Sequence, residues 1–279
     1  MSSPTGERAV VVTGASTGIG AAIVIALARA GIVAYAGVRN DADAERLRAL
    51  HASVRPLRLD VTDADSIAAA ARDVRAQGLA LIGLVNNAGV AFAGPLEYLP
   101  LENLRRQFEV NCFGAIAATQ AFLPLLHERP SRIVFIGSVS GRVPMPYIAP
   151  YSASKFALRA IADALRVELR PARIDVCLIE PGSVATPIFS KGREMLSPLP
   201  DAAPAYYRTA IAALIRGTQA EERGGMPVER VANIVVRTLT ERKPKAHRIV
   251  GLPARIGAAL ALLPPALHDR FMRAMMRLP

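Results

Sequence analysis

Short runs of aliphatic residues, many of them β-branched, recur along the chain. Each is followed by an alanine-rich stretch whose apolar positions return every three or four residues. The runs predict strands at Ala9–Thr13, Ile32–Val38, Val54–Leu59, Leu81–Val85, Ile133–Gly137, Ile174–Ile179 and His247–Gly251. The helical periodicity predicts helices at Gly18–Ala30, Ala42–His51, Ala64–Gln77, Leu101–His127, Ala149–Arg170 and Val228–Glu241. The strand runs are continuous rather than alternating, which is the pattern of a parallel sheet buried on both faces. Strands that alternate with helices of this length imply right-handed crossovers. The expected architecture is therefore α/β, a single domain with a doubly wound parallel sheet of seven strands and helices on both faces.

Two segments break this rhythm. Residues 183–227 carry Pro187, Pro198, Pro200, Pro204 and the pair Gly224-Gly225. An insertion of this length at the carboxyl edge of a sheet is usually functional, and it is expected to be a substrate-binding loop or lid. The second segment is the tail, 252–279, in which Leu267, Phe271, Met275 and Leu278 recur at helical spacing with Arg270, Arg273 and Arg277 between them. That spacing predicts an amphipathic helix. The stretch 1–182 is left as the cofactor-binding and catalytic core.

Composition narrows the function classes. With 52% hydrophobic and 20% charged residues among 279, the chain is neither disordered nor fibrous. Cys112 and Cys177 are its only cysteines, so a disulfide scaffold is excluded, no zinc pattern is present and a reducing cytoplasm is the expected compartment. The leader MSSPTGER is short and polar, so no targeting segment is expected, and the longest uncharged stretch, Ala76–Leu96, holds four glycines, Asn86, Asn87 and Pro95 and does not read as a membrane span. The net charge of +11 has no aromatic-interleaved basic stripe and no tryptophan beside it, so no nucleic-acid partner is expected. Eight Arg and Lys stand against Glu241 and Asp269 in residues 241–279.

The chemistry is concentrated at strand ends. The first strand runs into Thr13-Gly14-Ala15-Ser16-Thr17-Gly18-Ile19-Gly20 and then a helix. Gly14 permits the tight turn, Gly18 lets backbone approach a pyrophosphate, and Gly20 lets the helix pack close to the sheet, as in a Rossmann-type dinucleotide fold. The second strand ends Gly37-Val38-Arg39. An NAD site would place an acid there to accept from the ribose hydroxyls. Arg39, with Ser16, offers donors for a 2′-phosphate instead, which points to NADP(H) with NAD(H) as the alternative. Asn111 falls inside a long helical stretch, where it would kink the helix or hold a water. Ser138 closes the fifth strand, and Tyr151 and Lys155 share one face of a helix start. A phenol titrates near 10, and a neighbouring ammonium is expected to lower that value and make Tyr151 an acid/base for an alcohol or carbonyl. The four histidines lie outside these motifs, and a small buried hydrophobe is the expected role of Cys112.

In these residues the chain resembles the short-chain dehydrogenase/reductase family, and in its ending the bacterial members related to retinol and steroid dehydrogenases. The likeness rests on the 13–20 turn, Asp60-Val61, Asn86–Gly89, Asn111, Ser138, Tyr151-x3-Lys155, and Pro181-Gly182 with Thr186. It implies a catalytic tetrad of Asn111, Ser138, Tyr151 and Lys155, with Asn111 holding a water behind Lys155. It implies cofactor contacts from Gly14, Ser16, Thr17, Gly18, Ile19, Gly20, Arg39, Asp60, Val61, Asn87, Ala88, Gly89, Tyr151, Lys155, Pro181, Gly182, Val184 and Thr186, and no metal. Thr17 departs from the basic residue that many NADP-preferring members carry, so the phosphate assignment rests on Arg39. The family also implies a homodimer or homotetramer through helices equivalent to 101–127 and 149–170.

These expectations converge on an NADP(H)-dependent oxidoreductase acting on a small hydrophobic alcohol or carbonyl of steroid, retinoid-like or lipid type. Two alternatives stay open: a 3-oxoacyl-thioester reductase with an acidic carrier, and a non-catalytic dinucleotide-binding regulator. The tail has three candidate places, over the cleft, at a dimer interface, or at a membrane surface as a peripheral contact.

Overall fold

The structure, a computed structural model, describes residues 7–186, 188 and 196–276. Its strands are β1 (Arg8–Val12), β2 (Val33–Val38), β3 (Val54–Arg58), β4 (Ala80–Asn86), β5 (Ser131–Ile136), β6 (Ile174–Pro181) and β7 (His247–Val250). All pair in parallel, in the order β3-β2-β1-β4-β5-β6-β7. The helices are α1 (Gly18–Arg29), α2 (Asp41–Arg48), α3 (Ala64–Ala76), α4 (Leu101–Phe108), α5 (Gly114–Leu126), α6 (Ala149–Glu168), α7 (Ala205–Gly224), α8 (Val228–Thr240), α9 (Leu252–Leu260) and α10 (Pro265–Met276).

The continuous apolar runs are explained by burial on both sides. Alternate strand residues feed opposite faces. Val10, Val12, Ala34 and Ala36 pack on one side with α1 and α8 through Ile23, Leu27, Val231 and Val235. Ala9, Val11, Val33 and Tyr35 pack on the other with α3, α5 and α6 through Ile67, Phe122 and Leu158. The strand order reverses between β1 and β4, so the loops after these two strands diverge and leave a crevice at their carboxyl ends.

Before the tail, strand and helix positions agree with the sequence pattern to within a few residues, with two departures; in the tail, α9 precedes the one helix expected there. The helix expected over Leu101–His127 is interrupted by a π-helical turn at Glu109–Phe113, which contains Asn111. The run Leu101–Leu126 is long and apolar enough to cross a membrane by length and composition, but 56% of its most apolar window is buried inside the fold, as a core helix requires. The second departure is α7, twenty residues of helix inside the expected loop. Its prolines precede the helix, with Pro204 as the capping residue, and none interrupts 205–224. Pro187 of the insertion lies outside the described residues, as do Leu278 and the side chain of Met275 in the tail.

The carboxyl edge of the sheet is braced by a buried ionic network. Glu180, at the end of β6, is fully buried and receives both Nε and Nη2 of Arg142 at 2.7 Å. His247, at the start of β7, meets Glu180 Oε2 at 3.3 Å through Nδ1 and Asp163 Oδ1 of α6 at 2.7 Å through Nε2. This is a packing role for one of the histidines that stood outside the motifs. Removing one partner of a buried pair strands the other charge. Arg142→Ala is therefore expected to lower the unfolding free energy in urea by about 3–5 kcal/mol, and Arg142→Ala/Glu180→Leu to recover most of that loss.

Candidate active site

The turn after β1 is shaped by close approach. Gly14 and Gly18 take φ of 62° and 56°, the left-handed region where a side chain is strained. A Cβ on Gly20 would come within 2.3 Å of the Gly14 carbonyl oxygen and 2.5 Å of Asn87 Nδ2. Asn87 is why the turn must be so tight. Its amide donates to the carbonyls of Thr13 and Gly14, both at 3.0 Å, while Thr13 Oγ1 accepts from the backbone N–H groups of Asn87 and Ala88 at 3.0 Å. The loops after β1 and β4 are thereby locked together at the switch point. Thr17, at the N-cap of α1, makes no side-chain cap, which leaves the first-turn N–H groups to an anion. A cradle that a single Cβ would fill, opening on a helix N-terminus, fits the pyrophosphate of a dinucleotide.

Beside this turn, Arg39 is exposed at the end of β2. A second guanidinium stands close by. Arg46 of α2 donates to the Ser16 carbonyl and pairs with Asp43 at 2.8 Å. Asp43 also accepts from Asn40 Nδ2 at 3.0 Å, so its carboxylate is already engaged by neighbours. Arg46 escaped the sequence reading; its one visible signal is the i, i+3 pairing with Asp43 on a predicted helix. Burial alone would raise the Asp60 carboxyl. Hydrogen bonds from the Thr62 amide and hydroxyl, with Arg39 and Arg106 nearby, hold it below the usual carboxylate value.

Tyr151 and Lys155 lie one turn apart on α6, and both are buried. Lys155 Nζ donates to the Ile136 carbonyl at 2.9 Å and stands 5.7 Å from the centroid of the Tyr151 ring. Ser138 and Tyr151 line the same cleft. Burial pushes the Tyr151 phenol above its ordinary value, the Ser138 hydroxyl opposes that rise, and the Glu221 carboxylate of α7 adds to it. The expectation that the ammonium lowers the phenol's pKa is thus corrected for the protein alone. Loss of water is the largest cause of the rise, and Lys155 is itself desolvated, its ammonium pushed down to about 8. Glu221 has no motif around it and could not be placed from sequence.

Asn111 sits behind this pair rather than in the cleft wall. Its Oδ1 accepts from the Val90 amide at 2.9 Å, and its Nδ2 donates to the Val90 carbonyl at 3.1 Å and to Ser154 Oγ at 3.0 Å. The neighbouring Cys112 is buried, and burial lifts its thiol to about 11, so it is no nucleophile at neutral pH.

One cleft of about 370 Å³ gathers these groups. Gly14, Ser16, Thr17, Gly18, Ile19 and Gly20 line it together with Arg39, Asp60 and Val61 at one end and Asn87, Ala88 and Gly89 between. Ser138, Tyr151, Lys155, Pro181, Gly182, Val184 and Thr186 line the opposite end. The sequence reading did not assign to the site several further lining residues, among them the polar Asn40 and Asp43 and the apolar Leu59, Val90, Val110 and Ile136. The insertion is tied down around this end. Ser183 and Ala185 pair with Met226, Ser197 pairs with Ala93, and Tyr207 of α7 donates to Glu97 at 2.8 Å while packing against Tyr98 and Tyr147.

The family model for short chain dehydrogenases matches residues 8–197. An NADPH-dependent 3-dehydrocapnine reductase from Ornithobacterium rhinotracheale is 35% identical, over 94% of this chain and 95% of its own. A short-chain dehydrogenase structure from Streptomyces avermitilis superposes with a TM-score of 0.78 at 29% identity, over 97% of this chain and 95% of its own. One from Burkholderia cenocepacia in complex with NADP gives 0.73 at 28%, over 98% of both. The chain belongs to the short-chain dehydrogenase/reductase family of oxidoreductases.

Proposed function

We propose that this chain is an NADP(H)-dependent oxidoreductase that interconverts an alcohol and a ketone or aldehyde on a bulky apolar substrate. The observation that carries this reading is the gathering of Ser138, Tyr151 and Lys155 in the same cleft as the glycine cradle, with Lys155 Nζ 5.7 Å from the centroid of the Tyr151 ring. The nicotinamide cofactor supplies or accepts the hydride when bound. The residues assigned to hold it are the 14–20 turn for the pyrophosphate, Arg39 with Ser16 and Arg46 for a 2′-phosphate, Asp60 and Val61 for the adenine, Lys155 for the ribose hydroxyls, and Pro181–Thr186 for the nicotinamide amide. The choice of cofactor is supported by the NADP complex of the Burkholderia neighbour and by the NADPH dependence of the Ornithobacterium reductase.

Tyr151 then moves the proton. In reduction the phenol gives its proton to the carbonyl oxygen, and Ser138 donates to that oxygen and orients it. In oxidation the proton returns to Tyr151. A phenol held above its ordinary value keeps its proton at neutral pH and so has one to give to a carbonyl oxygen. Lys155 positions the ring and adds positive charge, and Asn111 holds the Val90 backbone and the Ser154 hydroxyl behind it. Support for an apolar substrate comes from the aromatic cluster of Tyr98, Tyr147 and Tyr207, which draws α7 over the region just before Tyr151. The exposed Phe113 of the π-helical turn that leads into α5 and the exposed Phe156 of α6 favour a homodimer or homotetramer built through those helices. The net charge of +11 favours a second reading, a 3-oxoacyl-thioester reductase serving an acidic carrier. The two helices that follow β7 weigh against it.

Three measurements test these assignments. Tyr151→Phe is expected to lower turnover of a lipophilic ketone by about 10²–10⁴-fold while NADPH still binds; unchanged turnover overturns the mechanism, and much faster turnover of acyl thioesters than of lipophilic ketones by the unaltered enzyme overturns the substrate class. Arg39→Asp is expected to weaken NADPH binding by about tenfold or more and NADH binding far less, read by cofactor fluorescence. The third concerns stability. Lys155 releases its proton near 8 when folded, while the unfolded chain holds that proton to 10.5, so stability rises as pH climbs above about 8. The thiols of Cys112 and Cys177, held up to about 11 from 9.0, oppose this above about 9. Melting temperature is thus expected to rise between about pH 8 and 9 relative to the Lys155→Met variant, which lacks the term.

A further inference from the structure

The two tail helices carry the same exposed stripe. In α9 it is Leu252-x2-Arg255-Ile256-x2-Ala259, and in α10 it is Leu267-x2-Arg270-Phe271-x2-Ala274. The spacing i, i+3, i+4, i+7 puts each set on one helix face, and all eight residues are exposed. Their opposite faces hold the helices to the body, through buried Ala254 and Met272. Between them Leu262 is 87% exposed and Leu263 is also open. Six of the large exposed hydrophobic residues of the described structure thus fall within residues 252–271. Single exposed leucines need no explanation, but an apolar band of this density on one short segment marks a contact surface.

We infer that this face docks on an anionic lipid bilayer. The charge pattern selects that occupant. Each stripe sets an arginine beside its bulkiest apolar side chain, and Asp269 is the one acidic residue of α9 and α10. An arginine in that place lays its methylenes along the apolar surface and carries its guanidinium up to a phosphate, the arrangement of an interfacial amphipathic helix. A copy of this same face would bring arginine against arginine.

Position adds a purpose. The first turn of α9 lies against the cleft, where a Cβ on Gly182 would come within 2.9 Å of Ala254 Cβ, and the Gly182 amide donates to the Val250 carbonyl at 3.0 Å. Docking by the exposed side of α9 sets the bilayer beside the end of the cleft lined by Gly182 and Tyr151. A lipid-soluble substrate then reaches the site without crossing water. This last step rests on the apolar-substrate reading; docking itself does not.

The test uses the full chain without cofactor or substrate, so its outcome is independent of that reading. Sedimentation is measured with vesicles of pure phosphatidylcholine and of phosphatidylcholine mixed with phosphatidylglycerol. Binding to the mixed vesicles is expected to be about tenfold or more tighter and to weaken as salt is raised. Ile256→Asp/Phe271→Asp is expected to abolish it without changing the melting temperature or turnover of a water-soluble ketone. Arg255→Gln/Arg270→Gln is expected to remove the preference for phosphatidylglycerol. The inference is overturned if neither vesicle binds the protein, or if the aspartate variant binds as well as the parent. It is also overturned if sedimentation equilibrium shows that the aspartate variant dissociates an oligomer, which would make this face an interface between copies of the chain.

Discussion

The clasp between the loops after β1 and β4 is the constraint on which the site depends. A parallel sheet whose strand order reverses at one point leaves two neighbouring loops diverging above it, with backbone groups that need partners. Here the partners are each other. Thr13 Oγ1 takes two amides of the Asn87 loop, and the Asn87 side chain takes two carbonyls of the glycine turn. The glycines follow from that clasp as much as from any ligand, because a Cβ at Gly14 or Gly20 would strike Ala88 or Asn87 itself. The same atoms that satisfy the backbone therefore shape the cradle for a phosphate.

Desolvation governs the other end of the cleft. Tyr151 and Lys155 are adjacent, buried and on one helix face, and a simple picture of opposite charges would pull the phenol down. Burial acts on both groups at once and disfavours the charged form of each, so the phenol rises and the ammonium falls. At neutral pH the phenol therefore keeps its proton and the ammonium keeps most of its charge, though it gives that charge up more readily than a lysine in water. Ser138 and the Ile136 carbonyl are the polar groups the protein itself provides.

The segments after β6 show how a small number of contacts turns irregular sequence into function-bearing structure. The insertion begins and ends on one bridge between Val184 and Met226, so its forty-odd residues leave and return at one point. Its helix is then pinned far from that point by Tyr207 and Glu97. The tail returns to Gly182 through Ala254. Both additions therefore converge on the end of the cleft where Tyr151 lies.

The sequence by itself determined the sheet, most helices and the members of the cleft. Hydrophobic periodicity is a local consequence of burial, and the glycine turn, Tyr151 and Lys155 sit at spacings fixed by strand ends and helix turns. Tertiary structure alone decided what depends on distant neighbours. The π-turn at Asn111 comes from the hold of its side chain on Val90 and Ser154, and no local propensity announces it. Arg46 and Glu221 act from elements far along the chain. Helix α7 was hidden by prolines that precede it, and the direction of the Tyr151 shift is set by how completely the fold excludes water. Periodicity and spacing report on neighbours in sequence; hydration and long-range partnership are properties of the folded whole.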